Sequence, residues 1–177
     1  MKTSGISTQL DLAPSPWILR FASLVVTGGR VLDVACGVGR HARFFAAHAY
    51  SVDAVDRDLS SFVDIPASVR AIQVDIESGP WPYSGEKFAG VVVTNDLHRP
   101  LMATLIDCVA PGGVLLYETF AAGNELYGRP SRPDFLLQPG ELLEIVRGQL
   151  QVVAFEDIYL DSPKPAKVQR IAAQRPG

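Results

Sequence analysis

Asp33, Asp56 and Asp75 each follow or close an apolar segment of strand length. If these segments are parallel strands, their carboxyl ends meet at one edge of a sheet, where ligands of α/β proteins bind. Three carboxylates at that edge would repel one another unless a cationic ligand rich in hydrogen-bond donors lay among them. By position, Asp56 suits the two hydroxyls of a ribose, Asp75 an exocyclic adenine amine, and Asp33 an ammonium group.

A glycine turn follows Asp33 in the stretch DVACGVGR, residues 33–40. Gly37 and Gly39 lack a Cβ atom, so they permit a tight turn and let a ligand lie against the backbone. The helix that follows would present free N–H groups to a carboxylate or a phosphate. The glycines alone leave two other interpretations open, because with Ala42 they also fit a dinucleotide fingerprint, and such turns occur without any ligand.

The acids discriminate between these ligands. S-adenosylmethionine carries an ammonium, a sulfonium, a ribose diol and an adenine amine, all of which suit carboxylates. NAD would place a pyrophosphate near Asp33, which would oppose it. The combination of glycines and acids therefore favours S-adenosylmethionine, whose product after methyl transfer is S-adenosylhomocysteine.

The elements that must position these residues alternate between strand and helix. Continuous apolar strands in such an alternation are typical of a parallel sheet covered on both faces. We expect one α/β domain over residues 1–177, with a loose tail at 1–13: a three-layer sandwich whose Rossmann-like, seven-stranded sheet is mostly parallel, with one antiparallel strand near an edge. The predicted strands are 30–35, 51–56, 69–75, 88–95, 113–120, 150–160 and 168–173; the predicted helices are 17–25, 40–49, 57–64, 100–110 and 141–149.

Composition narrows the function classes. The net charge of −3 argues against a nucleic-acid-binding surface. Two cysteines are too few for a disulfide framework, and they show no metal-ligand spacing, so no metal site is expected. The first residues lack the apolar core of a signal peptide, and no apolar run reaches the length of a membrane span. We expect a cytoplasmic protein with no membrane contact; its oligomeric state is not predicted.

Two segments resemble a known family. VLDVACGVGRHARFFA together with VDAVDRD resembles motif I and the following acidic strand of class I S-adenosylmethionine-dependent methyltransferases. ETFAAGNELYGRPSRPDFLLQPGELL is similar to a subgroup of small bacterial methyltransferases, distantly like the tellurite-resistance methyltransferases. The resemblance implies a Rossmann-like fold, methyl transfer from S-adenosylmethionine, and a set of cofactor-binding residues. These residues are Asp33, Cys36, Gly37, Gly39 and Arg40 at the methionine end, Asp56 at the ribose, Arg57, Asp75 and Ile76 around the adenine, and Asn95 facing the methyl group.

The acceptor side starts at Asn95. Nucleic-acid amino-methyltransferases carry Asn/Asp-Pro-Pro-aromatic there, whereas this chain has NDLHRP over residues 95–100. We therefore expect a small-molecule acceptor, with Asn95 and His98 as catalytic residues and His98 as the candidate general base.

The segment 121–140 is predicted to be a long loop, and long loops in compact domains are often functional. Asn124, Glu125 and Arg129 are expected to bind the acceptor, with Arg129 suited to an acidic one; alternatively, they only brace the loop. Two other functions stay open at this point: a non-catalytic module that binds S-adenosylmethionine or S-adenosylhomocysteine and regulates a partner, and an NAD(P)-dependent oxidoreductase.

Overall fold

The computed structural model describes residues 12–177 and contains one seven-stranded sheet in the order β3-β2-β1-β4-β5-β7-β6. Strands β1 to β5 pair in parallel, and β7 runs antiparallel to both of its neighbours, β5 and β6. This confirms the predicted mostly parallel sheet with one antiparallel strand near an edge. The strands are β1 Arg30–Val34, β2 Ser51–Asp56, β3 Val69–Gln73, β4 Phe88–Thr94, β5 Val109–Phe120, β6 Gln151–Leu160 and β7 Ala166–Gln174.

Among the described residues, the α-helices that cover the two faces of the sheet are α1 Pro16–Phe21, α2 Arg40–Ala47, α3 Met102–Asp107 and α4 Glu141–Val146. Helices α1 and α2 share one apolar cluster with one set of strand side chains, and α3 and α4 share a second cluster with the alternate set. Val31 and Leu32 of β1 show the alternation, since they belong to different clusters. In the described part of the chain, no helix is long and apolar enough to cross a membrane.

The helix predicted over 57–64 is wrong. The segment instead forms turns, in which Asp56 and Asp58 accept hydrogen bonds from the backbone N–H groups two residues ahead. Such Asx turns compete with helix formation.

The helix predicted over 100–110 is shorter, because β5 already begins at Val109. Val109 pairs with Phe88, and a register irregularity separates that pair from the next one, Gly90 with Val114.

The segment 121–140 is an ordered crossover rather than an open loop. Ala121 and Leu137 form a bridge at its base, and two 3-10 turns, Asn124–Leu126 and Pro133–Phe135, lie within it. Gln169 of β7 joins this crossover to α4: its Oε1 accepts a hydrogen bond from the Leu142 N–H at 2.8 Å. Residues 1–11 of the predicted tail lie outside the described residues.

The fully buried Gln169 amide provides a test of this junction, since its nitrogen also donates to the Gln138 carbonyl and the Asp157 carboxylate. Gln169→Leu keeps the side-chain volume but leaves these buried groups without partners, so we expect it to lower the free energy of unfolding by about 1–3 kcal/mol. Urea denaturation measures the loss. Exposed Gln149→Leu is the control; an equal effect in both variants would contradict this role.

Candidate functional site

The turn after β1 contains two glycines with different structural roles. Both have positive φ, +54° at Gly37 and +75° at Gly39. A Cβ atom on Gly39 would clash with the Phe62 ring, so any other residue there would have to displace that ring. A Cβ on Gly37 would meet no atom within 4 Å, and its N–H donates to the Asp56 carboxylate at 2.8 Å. Gly37 therefore leaves an open backbone surface beside a carboxylate.

Asp33 lies beneath this turn. Its carboxyl is buried and accepts a hydrogen bond at 3.0 Å from the Ala42 N–H in the first turn of α2. Burial raises the pKa of Asp33 to about 7, and the nearby Asp56 charge also raises it, while the Ala42 N–H and the Arg40 cation lower it. The side chain thus faces the helix and not the solvent, where the sequence had suggested a ligand ammonium. Its role in the structure is to hold the turn.

Asp56 and Asp75 lie at the carboxyl ends of neighbouring strands, as predicted. Asp56 is half-buried, and its second oxygen accepts from the Asp58 N–H. Asp75 is exposed, and the Ser78 hydroxyl and the Glu77 N–H bonded to its carboxylate lower its pKa. Ile76, next in the chain, packs against the core.

Arg57 supplies a cation at this acidic edge. The side chain is exposed, and its charge lowers the pKa of both Asp75 and Asp96. It therefore lies close enough to influence the carboxylates after β3 and after β4. Asp56, Arg57 and Asp75 occur together at the place where the sequence predicted ribose and adenine contacts.

Two residues of the predicted cofactor motif, Cys36 and Arg40, make contacts within the protein itself. The Cys36 thiol is buried in the core, its N–H donates to the Val55 carbonyl at 3.0 Å, and burial raises the pKa of the thiol, as expected for a packing residue. Arg40 donates to the Ala13 carbonyl at 3.2 Å. The Arg40 guanidinium is thus held by the segment that precedes α1.

A buried polar cluster, absent from the sequence predictions, joins that segment to the strand ends. The Ser15 hydroxyl donates to Glu118 of β5 at 2.6 Å, and the Ser15 N–H donates to Nε2 of His41 at 3.1 Å. Burial lowers the pKa of His41 to about 3, so this ring is neutral and accepts the bond. Arg170 pairs with Glu118 at 3.0 Å and lies over the Trp17 ring. The residues of this cluster are far apart in the sequence, so local sequence patterns could not predict it.

A pocket of about 200 Å³ opens at the carboxyl ends of β4 and β5. The sequence predicted an acceptor site in this place, and Asn95 is the predicted residue that lines it. Asn95 has a φ of +56°, and its N–H donates to the Glu118 carbonyl at 3.0 Å, which fixes the backbone at the rim. The lining residues are Glu77, Asn95, Asp96, Leu97, Thr119, Phe120, Pro130 and Phe135.

The other predicted acceptor residues lie outside this lining. Asn124 is buried, donates to the Pro130 carbonyl at 2.9 Å and accepts from the Lys167 N–H, so it braces the crossover. Glu125 accepts from the Gly123 N–H at 2.8 Å. Arg129 is exposed, and His98 is half-buried. The bracing alternative therefore describes Asn124 and Glu125.

Asp96 is the acidic pocket residue that the sequence analysis left without a role, although it directly follows Asn95 at the strand end. Burial raises its pKa to about 6; the charges of Glu77 and Asp56 also raise it, while His98 and Arg57 lower it. The Tyr117 hydroxyl donates to its backbone carbonyl at 2.9 Å, which fixes the main chain beneath the pocket.

Comparison with known proteins places this geometry in context. Residues 15–77 match the profile of the family described as tellurite resistance protein TehB. Haemophilus influenzae TehB superposes with a TM-score of 0.70 at 16% identity, covering 98% of this chain and 63% of that one. The chain has the fold of the class I methyltransferases. This confirms the predicted resemblance to methyltransferases of the TehB-like type.

Two further methyltransferases show the same fold. The S-adenosylmethionine-dependent methyltransferase from Mesorhizobium loti has a TM-score of 0.69 at 16% identity, over 93% of this chain and 100% of that one. Burkholderia thailandensis 1,6-didemethyltoxoflavin-N1-methyltransferase, solved with 1,6-didemethyltoxoflavin and S-adenosylhomocysteine, has a TM-score of 0.67 at 16% identity, over 92% and 77% of the two chains. A search of curated protein sequences gives no significant match. The chain spans less than two thirds of the Haemophilus protein and the whole length of the Mesorhizobium one.

At Gly39, the cost of the clash with Phe62 can be separated from the cost of backbone strain by mutation. Gly39→Ala puts an alanine in the left-handed region of backbone conformation and also makes it clash with Phe62. Gly28→Ala causes only the backbone strain, because Gly28 has a φ of +73° and a Cβ atom there would meet no other atom within 4 Å. The strain common to both is worth about 1–2 kcal/mol. We expect Gly39→Ala to be clearly the less stable variant in thermal unfolding. Equal losses would show that the Phe62 contact yields without cost.

Asp33 should impose a pH dependence on stability. The folded state holds its proton up to about pH 7, whereas the unfolded state releases it near pH 4. Between these values the unfolded state binds fewer protons, so the Asp33 contribution to stability falls as pH rises. Relative to Asp33→Asn, the native protein should lose up to roughly 1 kcal/mol per pH unit in this window. Urea titrations of both proteins at pH 4 to 7.5 measure the difference; a constant difference would contradict the burial argument.

Proposed function

We propose that the protein is an S-adenosylmethionine-dependent methyltransferase that acts on a small-molecule acceptor. The observation that carries the proposal is the open face of Gly37 beside the Asp56 carboxylate, at the end of β1 in a class I methyltransferase fold. In this sheet the order of strand addition reverses between β1 and β4, and α/β proteins bind ligands in the crevice at such a point.

The residues at this edge fit the chemical groups of S-adenosylmethionine. Asp56 retains acceptor capacity for ribose hydroxyls, because each carboxylate oxygen can accept more than one hydrogen bond. Arg57, Asp75 and Ile76 would surround the adenine. Arg40 and the glycine turn would hold the methionine end, and Asp33 would act on it through the turn that it orders.

The pocket beyond Asn95 is the proposed acceptor site. It lies after β4 and β5, next to the glycine turn in the sheet order, so an acceptor there faces the predicted methyl position. S-adenosylmethionine supplies an activated methyl group, and the protein needs mainly to align the acceptor atom with it. Alignment of this kind is worth up to about 7–11 kcal/mol in favourable cases.

Calorimetric titration with S-adenosylmethionine, S-adenosylhomocysteine and NAD tests the cofactor. We expect the two adenosyl compounds to bind and NAD to fail, since its pyrophosphate would lie at the glycine turn, where the Gly37 N–H already donates to the Asp56 carboxylate. Tight NAD binding without either adenosyl compound would overturn the proposal in favour of an oxidoreductase. Binding without methyl transfer to any acceptor would indicate a regulatory module.

Asp56→Ala should weaken S-adenosylhomocysteine binding at least tenfold, because each lost hydrogen bond to a charged group is worth about 1.5–3 kcal/mol. Asp58→Ala is the matched control, since that carboxylate caps a neighbouring turn through Ser60 and is exposed. Circular dichroism checks that both variants fold. Unchanged affinity in folded Asp56→Ala would remove this residue from the site.

A further inference from the structure

The acceptor pocket is lined by both apolar and acidic residues. Leu97, Phe120, Pro130 and Phe135 supply the apolar surface, while Glu77 and Asp96 supply two carboxylates. Among the described residues that line the pocket, none is basic. A volume of about 200 Å³ suits a molecule of about one ring. The pocket therefore selects for an apolar body with a group that carboxylates can bind.

The Asp96 carboxyl is available to such a group. Within residues 12–177, no hydrogen bond or ion pair engages its side chain, whereas Asp33, Asp56 and Asp75 are all bonded within the protein. The carboxyl is also partly shielded from water. A half-buried acceptor group without a partner, in the wall of a pocket, is suited to bind a ligand donor.

The charges around Asp96 come from several elements. Glu77 follows β3, Asp56 ends β2 and Arg57 comes directly after it; His98 lies two residues beyond Asp96 in the same segment. Arg57 and His98 favour the ionised carboxylate, while Glu77 and Asp56 oppose it. A cation entering the pocket would lower the pKa of Asp96 and remove this repulsion.

We propose that the acceptor is a small amine carried on an apolar ring or chain, and that its nitrogen binds to Asp96, with Glu77 as the second carboxylate of the pocket. The inference rests on the proposed methyl transfer and specifies its acceptor class. It also excludes oxyanions, because Glu77 and Asp96 would repel them.

The charge balance of methyl transfer explains why nitrogen suits this pocket better than oxygen. The bound ammonium first gives one proton to the Asp96 carboxylate, which passes it to water; the lone pair of the resulting neutral amine then forms the new bond to the methyl carbon, while the carbon–sulfur bond of the sulfonium donor breaks and leaves its electron pair on sulfur. The positive charge then lies on nitrogen, where Asp96 and Glu77 stabilise it. The surplus proton on nitrogen passes to Asp96 and from there to water. An oxygen acceptor would first have to become an anion among these carboxylates.

Three probes of one shape test the acceptor class: benzylamine, benzyl alcohol and benzoate, titrated by NMR into the native protein with and without S-adenosylhomocysteine. We expect benzylamine to bind and benzoate not to bind. Asp96→Asn should weaken benzylamine binding at least fivefold. Asp134→Asn is the control, because that carboxylate is exposed and lies outside the pocket lining.

The Asp96 carboxyl provides a readout that does not depend on turnover. Benzylamine should lower its pKa in a ¹³C-detected carboxyl titration, and benzyl alcohol should not. Benzoate binding more tightly than benzylamine, or equal affinities in native protein and folded Asp96→Asn, would overturn the inference. Failure of S-adenosylhomocysteine to bind, with benzylamine still held by Asp96, would instead reject the proposed methyl transfer and leave an amine-binding pocket.

Discussion

The hydrogen bond from the Gly37 N–H to the Asp56 carboxylate ties the turn after β1 to the end of β2, and the rest of the edge depends on it. Parallel pairing forces the ends of β1 and β2 together, which also brings Asp33 within reach of the Asp56 charge. The turn separates the two acids by giving them different partners: a glycine N–H for Asp56 and a helix N–H for Asp33. Asp33 is thereby buried, and burial raises its pKa to about 7.

Two buried groups next to this turn respond to pH in opposite directions. Asp33 contributes stability at acid pH and loses it as pH rises toward 7, since its folded pKa is raised. His41 contributes stability above its unfolded pKa and loses it as pH falls toward 3, since its folded pKa is lowered. Their windows overlap between about pH 4 and 6.5, so the two effects oppose each other there. The Ser15 contact needs neutral His41, and the packing of α2 on β1 favours neutral Asp33.

The sequence predicted features that follow from short-range patterns. Asp56 and Asp75 were found because apolar strand segments end at or just before them, and the parallel sheet then determines where they meet. The role of Asn124 was not predictable in the same way, because one of its partners is the Lys167 N–H, 43 residues further along the chain. The Ser15 contact with Glu118 spans 103 residues. Local patterns indicate which polar residues lie near a strand end, but a bracing role depends on partners that only the folded chain supplies.

The proposed acceptor site shows that contacts made only in the folded chain change the predicted acceptor class. From the sequence, Arg129 suggested an acidic acceptor, since it was the cation of a polar loop. The structure leaves Arg129 exposed and places Asp96 and Glu77 in the pocket lining. In the proposed transfer from a sulfonium to an amine, one positive charge would move from the β1 side of the edge toward the β4 side, where Asp96 lies. Stabilisation on the receiving side accelerates the step only if it grows as the charge arrives, so Asp96 would speed transfer through its stronger interaction with the newly charged nitrogen than with the neutral amine that attacks.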